Sequence, residues 1–151
     1  MVAGGPERQE SVARGLAAVP PTAPWILVHD GVRPCITPEL VRRVVEATRL
    51  HGAAIAALPV AETLKRGVEG WVKETVPRDG LWAIQTPQVF RREALERGLA
   101  APEEMVAAAT DDARLVELTG GTVRVVEAPR QNIKVTTAAD VERASAALAA
   151  A

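Results

Sequence analysis

A chain of 151 residues with 48% hydrophobic and 25% charged side chains has the balance of a single globular domain with one core. Its formal net charge of −1 supplies no bulk field for nucleic acid or an anionic membrane surface, and no apolar run approaches bilayer-spanning length. The lone cysteine, Cys35, forms no internal disulfide, and residues 1–8 carry no basic-then-apolar leader pattern, so the expected compartment is the reducing cytoplasm.

Helical spacing of Val12, Leu16 and Val19 predicts a first helix over 7–19, ended by Pro20-Pro21. Trp25-Ile26-Leu27-Val28 reads as a short buried strand. Thr37-Pro38 is an N-cap followed by proline at the first helical position, opening a helix to His51 that Gly52 closes. Residues 53–58 form a second apolar strand, which completes a strand–helix–strand unit and predicts a helix-covered parallel sheet with a right-handed crossover. Residues 63–66 and 71–76 flank Gly67-Val68-Glu69-Gly70 as a hairpin with a four-residue turn. Its mixed faces and Trp71 suit an arm, over about 59–78, that projects or packs on another subunit. In the stretch 81–88, Pro87 argues against a central strand. Helices are expected at 91–100 and 111–119, the latter capped by Thr110 or Asp111, then a strand at 122–127 and a last helix from Thr137.

The chemistry concentrates where the first strand breaks into His29-Asp30-Gly31-Val32-Arg33-Pro34. In open α/β sheets ligands gather beyond the carboxyl ends of strands, where Asp30 suits a hard cation or a ribose hydroxyl and Arg33 a phosphate. A turn-capping aspartate with a surface arginine explains the same residues, and at this level the two readings stand side by side.

Several segments in order resemble the 2-C-methyl-D-erythritol 4-phosphate cytidylyltransferases of non-mevalonate isoprenoid synthesis. They are Gly4-Gly5-Pro6-Glu7-Arg8-Gln9-Glu10-Ser11-Val12, His29-Asp30-Gly31-Val32-Arg33-Pro34, Thr63-Leu64-Lys65-Arg66, Arg78-Asp79-Gly80-Leu81-Trp82, Thr86-Pro87-Gln88, Thr110-Asp111-Asp112 and Asn132-Ile133-Lys134-Val135-Thr136. The resemblance implies a Rossmann-like, doubly wound, mostly parallel α/β sheet with a projecting hairpin arm. No segment corresponds to the family's N-terminal glycine-rich nucleotide loop, so the sequence is similar to the C-terminal two-thirds of such an enzyme and is expected to show little transferase activity by itself. Pro6 and Gln131 stand where the family usually has aspartate.

The implied reaction is attack by a phosphate oxygen of methylerythritol phosphate on the α-phosphorus of CTP, releasing pyrophosphate and using Mg²⁺ or another divalent cation. The resemblance gives Asp30 the metal or ribose, and Gly4, Gly5 and Ser11 the cytosine, although a plain helix-entry loop explains the glycines equally. Arg33, Arg78 and Lys134 would hold the sugar phosphate, with Thr63 and Thr86 adding hydroxyls. Catalysis would rest on Arg78, Lys134 and Asp30. The family's arm crosses to a partner, implying a homodimer in which Thr63 and Arg78 serve the neighbouring site. His29 reads as a satisfied histidine and Asp111 and Asp112 as helix-start residues first. Rival readings are a ribitol-phosphate cytidylyltransferase, a non-catalytic dimerising phosphate-binding module, and a generic nucleotide-binding domain.

Overall fold

The computed structural model describes residues 1–150, in the order α1 (Arg8–Ala18), β1 (Trp25–Val28), α2 (Pro38–His51), β2 (Ala53–Pro59), β3 (Leu64–Val68), β4 (Trp71–Val76), β5 (Trp82–Arg91), α3 (Arg92–Leu99), α4 (Glu103–Ala108), α5 (Asp112–Leu118), β6 (Arg124–Glu127) and α6 (Ala138–Ala149). Helix boundaries follow local chemistry. Thr37 Oγ1 accepts from the Leu40 amide at the start of α2, and Gly52 ends that helix at φ 88°, a left-handed conformation that favours glycine. Asp111 caps α5 by accepting from the Arg114 amide, and Thr137 with Asp140 forms a reciprocal capping box on α6.

Strands β1, β2 and β6 run in one direction, as a doubly wound Rossmann-like α/β sheet requires, in the order β1-β5-β2-β6. The expected mostly parallel arrangement holds for strand direction but not for pairing. Antiparallel β5 lies between β1 and β2, so only β2 with β6 makes a parallel ladder.

Pro87 thus sits inside a central strand, contrary to the expectation drawn from its missing amide. The register explains it: Ile55 faces Gln88 and Ala57 faces Ile84, so residues 85–87 stand opposite Ala56 alone. This bulge relieves Pro87 of a ladder bond, and the Thr86–Pro87 peptide is cis.

Alternation along the strands builds one core on each face of the sheet. Ile55 and Phe90 pack with Leu16, Leu95 and Val116 from α1, α3 and α5, while Ala54, Ala56 and Val89 pack with Leu40 and Val44 of α2.

The arm is a separate two-stranded sheet of β3 and β4. Its turn is tighter than the expected four residues. Val68 still pairs with Trp71, leaving Glu69 (φ 51°) and Gly70 (φ 84°) as the corner, and the register shifts between Arg66 and Gly67. Helix α4 was not expected from the sequence; it is six residues long, buries none of them and begins at Pro102 without a side-chain cap. Among the described residues, no helix is long and apolar enough to cross a membrane.

Candidate active site

Two loops, residues 29–34 and 129–135, meet the β5 bulge at 85–87 beyond the carboxyl end of β1. Buried Asn132 joins them. Its Nδ2 donates to Gln85 Oε1 (2.8 Å) and the Thr86 carbonyl (2.9 Å), and its own carbonyl accepts from Arg33 Nη1 (2.9 Å). The Asp30 amide donates to Thr86 Oγ1 (3.0 Å), and the Val135 amide to the Val32 carbonyl (2.7 Å). Each bond crosses between segments distant in sequence.

Charge converges on Asp30 within this frame. Its carboxylate lies 3.6 Å from Lys134 Nζ, 3.7 Å from Arg33 Nε and 3.9 Å from Arg8 Nη2. These groups line a cleft of about 310 Å³ completed by Thr86, Thr110 and Asp111. A second, more apolar groove of about 410 Å³ runs between α1 and β1, bounded by Ser11, Leu16, Leu27 and His29. Arg8 and Asp30 line both and form their common wall.

The sequence-predicted residues divide between facing the cleft and holding it together. Lys134 is half exposed and lines the cleft with its ammonium beside Asp30. Arg33 lines the cleft from below the surface rather than standing on it. It is buried, one nitrogen is bound to Asn132, and burial lowers its pKa against the pull of Asp30.

Thr86 lines the cleft but is largely buried, and its hydroxyl is engaged within the protein. His29 Nε2 contacts the Arg33 carbonyl (3.1 Å), an acceptor only, so Nε2 donates there, and Nδ1 shares a hydrogen bond with the Thr86 hydroxyl (3.0 Å). His29 is therefore satisfied, as expected.

Ser11 Oγ accepts from the Gly5 amide (2.9 Å) and fastens the glycine loop to α1. A Cβ on Gly4 would stand 2.9 Å from Ser11 Oγ, and one on Gly5 2.4 Å from Glu10 Cβ, so both glycines answer to close packing on the helix. Thr63 and Arg78 lie outside the cleft. Both are exposed at the base of the arm, where the Arg78 guanidinium donates to the Ala61 carbonyl.

Sequence reasoning assigned no role to Arg8, Gln88 or Asn132, and read Asp112 as a helix-start residue. Asp112 does open α5, but it is fully buried and accepts from Arg8 Nη2 at 2.7 Å. Burial pushes the Asp112 carboxyl pKa up and Arg8 pulls it back only in part. For Arg8 burial acts downward, yet Asp112, Asp30 and Asp111 together raise it. Buried Gln88 joins β5 to the start of α5, donating to Asp111 Oδ2 (2.9 Å) and accepting from the Ala113 amide (3.1 Å). The available signal was that Gln88 and Asn132 stand inside the segments Thr86-Pro87-Gln88 and Asn132-Ile133-Lys134-Val135-Thr136.

The sequence profile of the family described as IspD: 2-C-methyl-D-erythritol 4-phosphate cytidylyltransferase matches residues 1–150. The chain is 43% identical over 151 residues to the 2-C-methyl-D-erythritol 4-phosphate cytidylyltransferase of Pelotomaculum thermopropionicum, covering 99% of this chain and 63% of that protein. It is 48% identical over 145 residues to the bifunctional enzyme IspD/IspF of Rhodospirillum rubrum, covering 95% of this chain and 37% of that one. The crystal structure of the 2-C-methyl-D-erythritol 4-phosphate cytidylyltransferase from Thermus thermophilus superposes with a TM-score of 0.89 at 39% identity, over 99% of this chain and 73% of that chain. The chain thus spans less than two thirds of the length of these two curated relatives. With a profile match along its length and a shared fold, the chain belongs to the IspD, 2-C-methyl-D-erythritol 4-phosphate cytidylyltransferase, family.

Proposed function

We propose that this chain supplies the sugar-phosphate side, and the shared wall of the nucleotide side, of an enzyme that transfers CMP from CTP to 2-C-methyl-D-erythritol 4-phosphate and releases pyrophosphate in the cytoplasm. The observation that carries this reading is the convergence of Lys134, Arg33 and Arg8 on the Asp30 carboxylate at the mouth of two adjoining clefts. A phosphate oxygen is already a charged nucleophile at neutral pH, so the chain needs to orient and neutralise rather than to abstract a proton. Lys134, on its flexible stem, neutralises charge between the two polyanions, and Asp30 fixes where the cations point.

Asp30 would be the protein's contribution to a magnesium ion, and with three cations already beside it most of the ligands would have to come from substrate phosphates. Asp30 is the one carboxylate of the chain that Lys134, Arg33 and Arg8 surround, and among the described residues no group of three potential metal-ligating side chains occurs. Bound there, Mg²⁺ would supply charge neutralisation on the phosphates.

The exposed Val68, Trp71 and Val72 of the arm support association with a second copy, and the positions of Thr63 and Arg78 outside this chain's cleft support their serving the partner's site. The test is pyrophosphate release from CTP by the whole protein with methylerythritol phosphate and, separately, with ribitol phosphate. Release with the first and a loss of about a hundredfold in Lys134→Ala are expected. Release with ribitol phosphate alone would overturn the assignment.

A further inference from the structure

The Arg8–Asp112 pair is poorly built for stability. Asp112 is fully buried, yet Oδ2 alone is bonded; Asp112 Oδ1 and Arg8 Nη1 are both buried without a hydrogen-bond partner. Buried ion pairs with unsatisfied atoms are commonly matched or bettered by apolar residues of similar volume. The neighbouring residue already fastens α1 to the α4 region with neutral bonds, from Gln9 Nε2 to the Val106 and Ala109 carbonyls (3.2 and 2.6 Å). What Gln9 does not do is reach Asp30. Arg8 Nη2 faces Asp112 at 2.7 Å and Asp30 at 3.9 Å, and its guanidinium stands in the wall common to both clefts.

We propose that Arg8 is a positioning residue, clamped from behind by buried Asp112, that fixes the Asp30 carboxylate between the nucleotide and sugar-phosphate clefts. Asp112 is the anchor because it cannot move: it opens α5, and the preceding Asp111 is held by Gln88 and the Arg114 amide. The guanidinium carries that fixity across to the loop at 29–34. The proposal rests on the transferase reading and deepens it, because it assigns a task to two residues that need not touch either substrate.

The experiment compares Asp112→Asn, Arg8→Gln and the double variant in the whole protein, measuring pyrophosphate release with CTP and methylerythritol phosphate and the thermal midpoint of each. We expect kcat to fall by about tenfold to a hundredfold in each single variant. KM for both substrates should change by less than about threefold, and the double variant should match the worse single variant within about twofold, as for residues acting as one unit. Multiplying effects, or unchanged kcat in a folded variant, would overturn the proposal. So would a rise in KM alone, which assigns Arg8 to direct substrate contact. Should Asp112→Asn fail to fold, Arg8→Gln decides, since that side chain is about one third exposed. An unaltered protein releasing pyrophosphate with neither sugar phosphate would instead fell the functional reading, and this proposal with it.

Discussion

The four-stranded sheet and the two-stranded arm come from the same kind of pairing and differ in almost everything else. Residues 53–57 of β2 are all buried, whereas residues 71–75 of β4 are all exposed. The arm's side-chain links, Lys65 to Thr75 and Arg66 to Glu74, are short but solvent-facing, and such contacts contribute little. An isolated hairpin is at best marginal in water. Burial, rather than strand pairing, therefore decides which sheet stands alone, and the apolar residues of the arm are left exposed within this chain.

The contrast is open to direct attack. Phe90→Ala should cost about 3–5 kcal/mol by chemical denaturation, because the ring is fully buried between the sheet and α3 and α5; a loss below about 1 kcal/mol would break the comparison. Gly98→Ala should cost about 1–3 kcal/mol, since the new Cβ would lie 2.8 Å from Leu115 Cβ and 3.1 Å from its carbonyl carbon. That clash outweighs the roughly 1 kcal/mol that alanine gains in helix propensity.

Thr137→Ala should cost about 1 kcal/mol through the α6 cap. The same cap has a pH signature. Hydrogen bonds from Thr137 and Thr136 lower the Asp140 pKa from 3.8 to about 2. A depressed folded value stabilises the native state above the unfolded value, so this contribution should be intact above pH 4 and disappear as pH falls through about 2. Asp140→Asn should flatten that part of the acid-unfolding curve. Trp71→Ser, the smallest effect, should leave stability within about 0.5 kcal/mol while weakening self-association in sedimentation. A destabilisation comparable to Phe90→Ala would mean that the arm is part of the core.

Periodicity and capping made most of the fold legible. Thr37-Pro38, Gly52, Asp111 and Thr137 mark boundaries that the structure places within a residue or so. The central position of β5 was not legible, because the bulge that excuses Pro87 depends on which strand lies beside it. At the site, the charged residues of the motifs were readable by type. Their division of labour was not. Whether an arginine stands free for a ligand or is bonded within the protein depends on partners far along the chain, as the Asn132 carbonyl for Arg33 and the Asp112 carboxylate for Arg8 demonstrate. Likewise, the Thr86 hydroxyl is committed by a histidine 57 positions away.

The cross-bracing by Asn132, Thr86 and Val135 has a consequence for how the site meets its ligands. Loops ordinarily exchange their amide hydrogens quickly, but the Asp30 and Val135 amides are bonded between segments and should exchange as slowly as those of the strands. Loops already tied together have little freedom left to surrender when a polyanion arrives, so less of the interaction with it is spent on ordering the chain. The backbone segments that carry Asp30 and Lys134 then behave as parts of one frame, while the Lys134 side chain keeps its freedom.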